Sequence, residues 1–127
     1  MRGGTFLVAL LCLLACGGCT REKSTAQLLD DLKGSEERNR LIAVRLLPQR
    51  TQEAAQVVPA LIAALNDKEG DIRRSAALGL ASFGEGAKDA IPALKAALRD
   101  RDARVREAAG KALTRIDPDA AKKTVAK

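Results

Sequence analysis

A chain of 127 residues holds one domain of modest size once any targeting segment is set aside. Only 2% of it is aromatic and there is no Trp or Tyr, so its core must be Leu, Ile, Val and Ala, packed as slender helices rather than around large rings. The absence of His removes the commonest general base and the commonest metal ligand, and a formal charge of +6 spread along the chain suits anionic surfaces without marking a block of contact.

Residues 1–19 read as a signal peptide. Arg2 supplies the positive start. Thr5 to Ala15 is apolar but shorter than the ~20 residues of a permanent membrane-spanning helix. Small residues and cysteines follow, and all three cysteines of the chain fall at 12, 16 and 19. The run Leu13-Leu14-Ala15-Cys16 resembles the bacterial lipobox. The resemblance implies lipidation: the Cys16 thiolate takes a diacylglyceryl group and the peptide is cut just before it. Cys19, after Gly17-Gly18, is the alternative acceptor. Either would leave the chain lipid-anchored at a cell membrane or outer membrane, facing the periplasm or extracytoplasmic space. An ordinary secretory signal with incidental cysteines is the plainer alternative. Cys16 and Cys19 also form a C-x-x-C, but a redox or zinc role would need a strand–helix setting or a second ligand pair, and the sequence has neither.

Residues 20–24 are polar and aperiodic and read as a tether. No cysteine lies beyond them, so the folded part carries no disulfide.

From residue 25 to 117 the chain repeats itself. Val58-Pro59-Ala60-Leu61 reappears as Ile91-Pro92-Ala93-Leu94, which fixes the shift as the step from position 58 to position 91. The same shift lays Leu65 on Leu98, Asp67 on Asp100, Ile72 on Val105, Arg73 on Arg106, Ala76 on Ala109 and Leu80 on Leu113. Carried backwards, it matches Leu28, Leu32, Arg40, Ala43 and Leu47 to the first of these copies, with Asn39 in place of an aliphatic residue. A gapless period of this length signals a solenoid, and its terminal copy is expected to be worn because one face meets no neighbour. The copies are 25–50, 51–83 and 84–117, and 118–127 is a basic tail expected to fray.

Each copy divides into two helices. Ser35 ahead of Glu36-Glu37 is a candidate N-cap in the first, and Pro48 stops that helix. The first helix of each later copy is predicted to open at Pro59 or Pro92 and to run to Asn66 or Arg99, with Leu61 and Leu65, or Leu94 and Leu98, on one face. The second helix starts near Gly70 or Asp102, and its inward positions, Ile72, Ala76, Leu80 and Phe83, then Val105, Ala109, Leu113 and Ile116, are spaced as helices require. Gly84 is placed to close the second copy in a left-handed conformation.

Paired helices, a proline in the first, an Asp in the connection and an aliphatic-Arg-x-x-Ala start to the second resemble the HEAT-repeat family, in particular the short bacterial HEAT-like repeats found also in phycobilin lyases. The resemblance covers about residues 25–117. It implies an all-α, right-handed α-α superhelix of about three helix pairs, in which Arg40, Asp67, Arg73, Asp100 and Arg106 form a ladder of polar contacts between neighbours. It also implies a protein-binding rather than catalytic role.

Opposite the inward stripe, helical spacing of about 100° per residue places Arg74, Leu78 and Ala81 in the second copy. The shift adds Leu41, Arg45 and Pro48 before them and Glu107, Lys111 and Thr114 after them. Stacked side by side, these positions are expected to form a concave wall mixing apolar and basic side chains, suited to a peptide or protein segment. The plainer alternative is a set of solvated helix faces.

The leading functional reading is a non-enzymatic interaction or scaffold module, lipid-anchored to a bacterial membrane, with another protein or peptide as partner and no cofactor, metal or small-molecule substrate. Enzymatic HEAT-like relatives hold iron through His and Glu or stack bases on aromatics, and this chain offers neither set. Asp30-Asp31 and Glu36-Glu37 are adjacent in sequence, so their members point about 100° apart on a helix and cannot flank one bond. An accessory subunit of phycobilin-lyase type and a binder of anionic polymer are the alternatives. Sequence-specific nucleic-acid reading is not expected without exposed aromatics or a basic cluster.

Overall fold

The computed structural model describes residues 21–125. Residues 1–20, with the candidate lipid acceptors Cys16 and Cys19, lie outside the described residues. The helices are α1 (Thr25–Lys33), α2 (Glu37–Leu46), α3 (Ala54–Ala64), α4 (Gly70–Ala81), α5 (Ile91–Ala97), α6 (Ala103–Ile116) and α7 (Pro118–Val125). Short 3-10 turns at Leu47–Gln49, Thr51–Glu53 and Gly84–Ala90 join them, and no strand occurs among the described residues. The fold is the expected all-α solenoid.

The helices pair antiparallel as α1 with α2, α3 with α4 and α5 with α6. The second members stack in a row, α2 on α4 and α4 on α6, and α7 packs against α6. Burial follows the sequence period: Leu28, Ala43, Leu47, Leu61, Ile72, Ala76, Leu80, Leu94, Val105 and Ala109 are fully buried. One continuous aliphatic core results, and no pair could bury its own apolar face alone.

Helix starts depend on local chemistry. Ser24 caps α1 in a reciprocal box: its hydroxyl accepts from the Gln27 N–H, and the Gln27 side chain accepts from the Ser24 N–H. The Asp102 carboxylate caps α6 by accepting from the Arg104 N–H. Gly84 adopts φ +52°, the left-handed conformation that glycine tolerates, and turns the chain out of the second pair.

Three boundaries differ from expectation. Helix α3 begins at Ala54, so Pro59 sits inside it on an exposed face instead of opening it. Ala54-Ala55-Gln56 favours helix, and Val57 and Val58 gain burial by joining it. In the third pair Gly84 and Gly86 precede the equivalent stretch. That stretch is 3-10 with a non-helical Ala87, and α5 does start at Pro92's turn. Ser35 is not the cap of α2: Glu36 holds that position without a side-chain capping bond, its carboxylate accepting from the Asn39 side chain instead, and the Ser35 carbonyl is taken by Arg40. Residues 118–125 are helical, not frayed, because Pro118 suits a first turn and Asp117 accepts from the Asp119 N–H. The tether is also tied down over its described part. Lys23 pairs with Asp31 at 2.6 Å, and Arg50 donates to the Lys23 carbonyl at 3.3 Å.

Helix α4, which has a neighbour on each side, is buried on both flanks as well as on its inward stripe. On α4, Ala77 and Ala81 turn to the side of α6, while Ser75 and Gly79 turn to the side of α2. A Cβ on Gly79 would stand 2.6 Å from Cγ of Pro48. On α6 the equivalent of Gly79 is Ala112, fully buried, and that of Ser75 is Ala108, 3% exposed. Small residues here let neighbouring backbones approach closely.

Candidate interaction site

Two sets of side chains could carry a function: the polar ladder inside the stack and the open face of α2, α4 and α6. The ladder lies where each pair's loop meets the neighbour's second helix. Arg40 of α2 donates through Nε to Oδ2 of Asp67 at 2.9 Å and through Nη2 to Oδ1 at 3.3 Å. Arg73 of α4 makes the same fork to Asp100, at 2.8 and 3.0 Å. Each Arg is steadied from behind by its own loop. Nη1 of Arg40 donates to the carbonyls of Gly34 and Ser35, and Nη1 of Arg73 to those of Asp67 and Lys68. Each Asp also accepts a backbone N–H two residues on, Glu69 for Asp67 and Asp102 for Asp100. All four side chains are at most 12% exposed.

This arrangement is a bidentate ion pair with its remaining donors satisfied, the form in which a shielded charge pair is tolerated. The hydrogen bond from Arg73 holds the Asp100 carboxyl below its ordinary range, against the opposing effect of burial, and Asp100 in turn raises Arg73. Asp67 likewise raises Arg40. Arg106 repeats the half of the pattern that belongs to its own loop, donating to the carbonyls of Asp100 and Arg101. No carboxylate among the described residues meets its outer fork, and it is exposed. The position equivalent to Asp67 in the first pair is Gly34.

The open face is built on α4. Arg74 and Leu78 form a ridge, with Leu78 39% exposed, and a groove lies on each side. Toward α6 the groove is lined by Arg74, Leu78, Arg104, Glu107, Ala108 and Lys111. Toward α2 it is lined by Val44, Arg45, Pro48, Ser75, Gly79 and Ser82 as well as the ridge. The structure thus brings Arg45, Arg74, Leu78, Glu107 and Lys111 onto one surface. Leu41 is different: it is half-buried and packed against the core. Ala81 is buried too, since it lies on the flank that α6 covers.

Charge on this face is partly compensated within α6. Lys111 donates to Glu107 at 2.6 Å, one helical turn apart, which lowers the Glu107 carboxyl below its usual range. Arg104 reaches Asp71 across the groove at 3.0 Å and also holds Asp102. Arg45 and Arg74 make no ion pair among the described residues. Among the described residues no group of three His, Cys, Asp or Glu is placed to hold a metal ion, and no helix is long and apolar enough to cross a membrane.

The model for HEAT repeats matches residues 25–114. The chain belongs to the HEAT-repeat family. A comparison with curated proteins finds none that matches. HEAT arrays are helical scaffolds that mediate protein–protein binding, and this one has the same helix-pair stack. Within this HEAT array, sequence reasoning missed Arg104. The signal was present: Arg104 stands one full repeat after Asp71, so opposite charges occupy one position in adjacent repeats and must lie side by side. Arg74 and Glu107 are related in the same way, and Arg74 contributes to lowering Glu107.

Proposed function

We propose that this HEAT array is a non-enzymatic scaffold, lipid-anchored to a bacterial membrane through Cys16 or Cys19, that binds a peptide or protein segment along the α4 ridge. The observation that supports it is the pair of grooves flanking Leu78, with Arg45 and Arg74, in no ion pair among the described residues, beside an exposed apolar side chain. A partner segment would place an apolar group against Leu78 and carboxylates or carbonyls toward the two guanidinium groups. Exposed arginines beside an apolar anchor give both steering and contact area. The anchor rests on the lipobox-like run ending at Cys16.

The combined substitution Arg45→Glu and Arg74→Glu is expected to weaken partner capture about ten-fold or more while the fold is kept. The measurement is recovery from envelope extracts by the wild-type and reversed proteins, with circular dichroism on both. Equal recovery would remove the ridge from the binding surface. Intact mass of the mature chain tests the anchor: a diacylglyceryl adduct on an N-terminal Cys is expected, and its position identifies Cys16 or Cys19. An unmodified chain would refute the anchoring.

A further inference from the structure

The two ends of the row of second helices are built differently. Positions that turn toward the preceding helix are small where such a helix exists: Ser75 and Gly79 on α4, Ala108 and Ala112 on α6. On α2 the equivalent positions, one repeat earlier, are Ile42 and Leu46, each 38% exposed. They are two of the three large apolar side chains exposed among the described residues. Arg38 and Arg45, both exposed, flank them on the solvent side of the helix.

Those large side chains exclude another repeat as the occupant. Where a repeat does stack, the turn after its second helix comes so close that a single Cβ at position 79 would stand 2.6 Å from the Pro48 ring. Ile42 and Leu46 project well beyond a Cβ, so no helix can seat on this flank in the same way. A second copy related by a two-fold axis would set this basic patch against the same basic patch. What fits two protruding aliphatic groups beside Arg38 is a deformable, negatively charged phase.

The chain's path agrees. Arg50, just beyond α2, donates to the carbonyl of Lys23, so the chain arrives next to the end of α2 that carries Leu46. Cys19 lies four positions before that contact and Cys16 lies seven. At about 3.5 Å per extended residue the Cα of the acceptor Cys is at most ~14 or ~25 Å away along the chain.

We propose that the α2 edge, Ile42 and Leu46 with Arg38, lies on an anionic lipid surface and fixes the tilt of the array above it, leaving Arg45 to the groove beside the α4 ridge. The orientation part rests on the lipid anchor of the preceding section. Apolar side chains entering the headgroup boundary beside basic groups are how an amphipathic helix holds such a surface. The α4 ridge would then stand beside the membrane instead of facing it edge-on.

The chain has no Trp, so Leu46→Trp introduces a unique fluorophore, and Arg115→Trp on exposed α6 is the matched control. Each full chain is isolated in its mature form and added to vesicles of phosphatidylcholine with brominated phosphatidylglycerol. The indole at position 46 is expected to lose about half or more of its emission and the one at 115 little. Arg38→Glu in the Leu46→Trp background should lower the docked-to-undocked ratio about five-fold or more. Equal emission at the two positions overturns the proposal. Equal quenching at position 46 when both lipids are neutral overturns its anionic part. A blue shift that grows with protein concentration and ignores lipid assigns the edge to a second copy instead, and overturns it as well. Intact mass on the same samples separates the two readings. A lipidated chain with an unquenched indole keeps the anchor and loses the edge. An unlipidated chain that is still quenched loses the anchor and keeps the edge.

Discussion

Asp100→Ala is expected to lower the free energy of unfolding by about 3 kcal/mol. The substitution removes both acceptors of the Arg73 fork, and the Arg73 side chain is only 7% exposed, so its charge is left shielded from water without a counter-ion. It also frees the Asp102 N–H at the start of α6. Asp100→Asn keeps the shape and one acceptor and should cost less. Arg106→Ala is the internal control: it has the same residue type and loop contacts but no carboxylate, and should cost about 1 kcal/mol or less. Urea unfolding of the three variants reads all of this, and equal losses for Asp100→Ala and Arg106→Ala would show that the rung adds nothing to the stack.

The same rung predicts an acid dependence. Because the folded protein holds Asp100 below its ordinary carboxylate range, its contribution is complete above the unfolded value of about 3.9. It fades as pH falls through the lowered folded value, where the folded carboxylate must also take a proton. The wild type should therefore lose more stability than Asp100→Ala between neutral pH and pH values below about 4. Parallel curves for the two proteins would refute this assignment.

Gly79→Leu is expected to cost about 3 kcal/mol, at the upper end of what overpacking does. The obstruction is the Pro48 ring, which is fixed to the backbone and cannot swing aside as a long side chain would. Leu61 Cδ1, at 3.4 Å from the added Cβ, blocks another exit. Gly79→Ala puts two effects in opposition: a gain in helix propensity of about 1 kcal/mol and the same close contact. The contact should win, since 2.6 Å is inside any carbon–carbon approach. Thermal denaturation distinguishes the outcomes, and a stabilised Gly79→Ala would mean that α2 and α4 separate with little resistance.

Much of this architecture is legible in the sequence because a solenoid writes the same solution repeatedly. The constant shift between copies is enough to locate Arg73 and Asp100, and their antecedents Arg40 and Asp67. It does not locate helix starts. Pro59 and Pro92 occupy the same place in the repeat, yet one is interior and the other is in a first turn. The difference comes from the residues upstream: alanines in one case, Gly84 and Gly86 in the other. A single apolar stripe was also too simple a description for α4. A helix with neighbours on both sides buries flanks as well, so Ala81 is covered and Leu41 is half-covered although both sit near the outward side. Cross-repeat pairs such as Asp71 with Arg104 were readable only by comparing one position between copies rather than along a helix.

Gly34 carries a consequence for self-assembly. A contact that joins the tail of one molecule to the head of the next has no natural stopping point and grows into fibres. This chain presents an arginine fork at one end, on Arg106, while the place that would answer it at the other end is a glycine with no side chain to offer. Successive copies of this array thus lack the matched charge pair that would join the end of one to the start of the next.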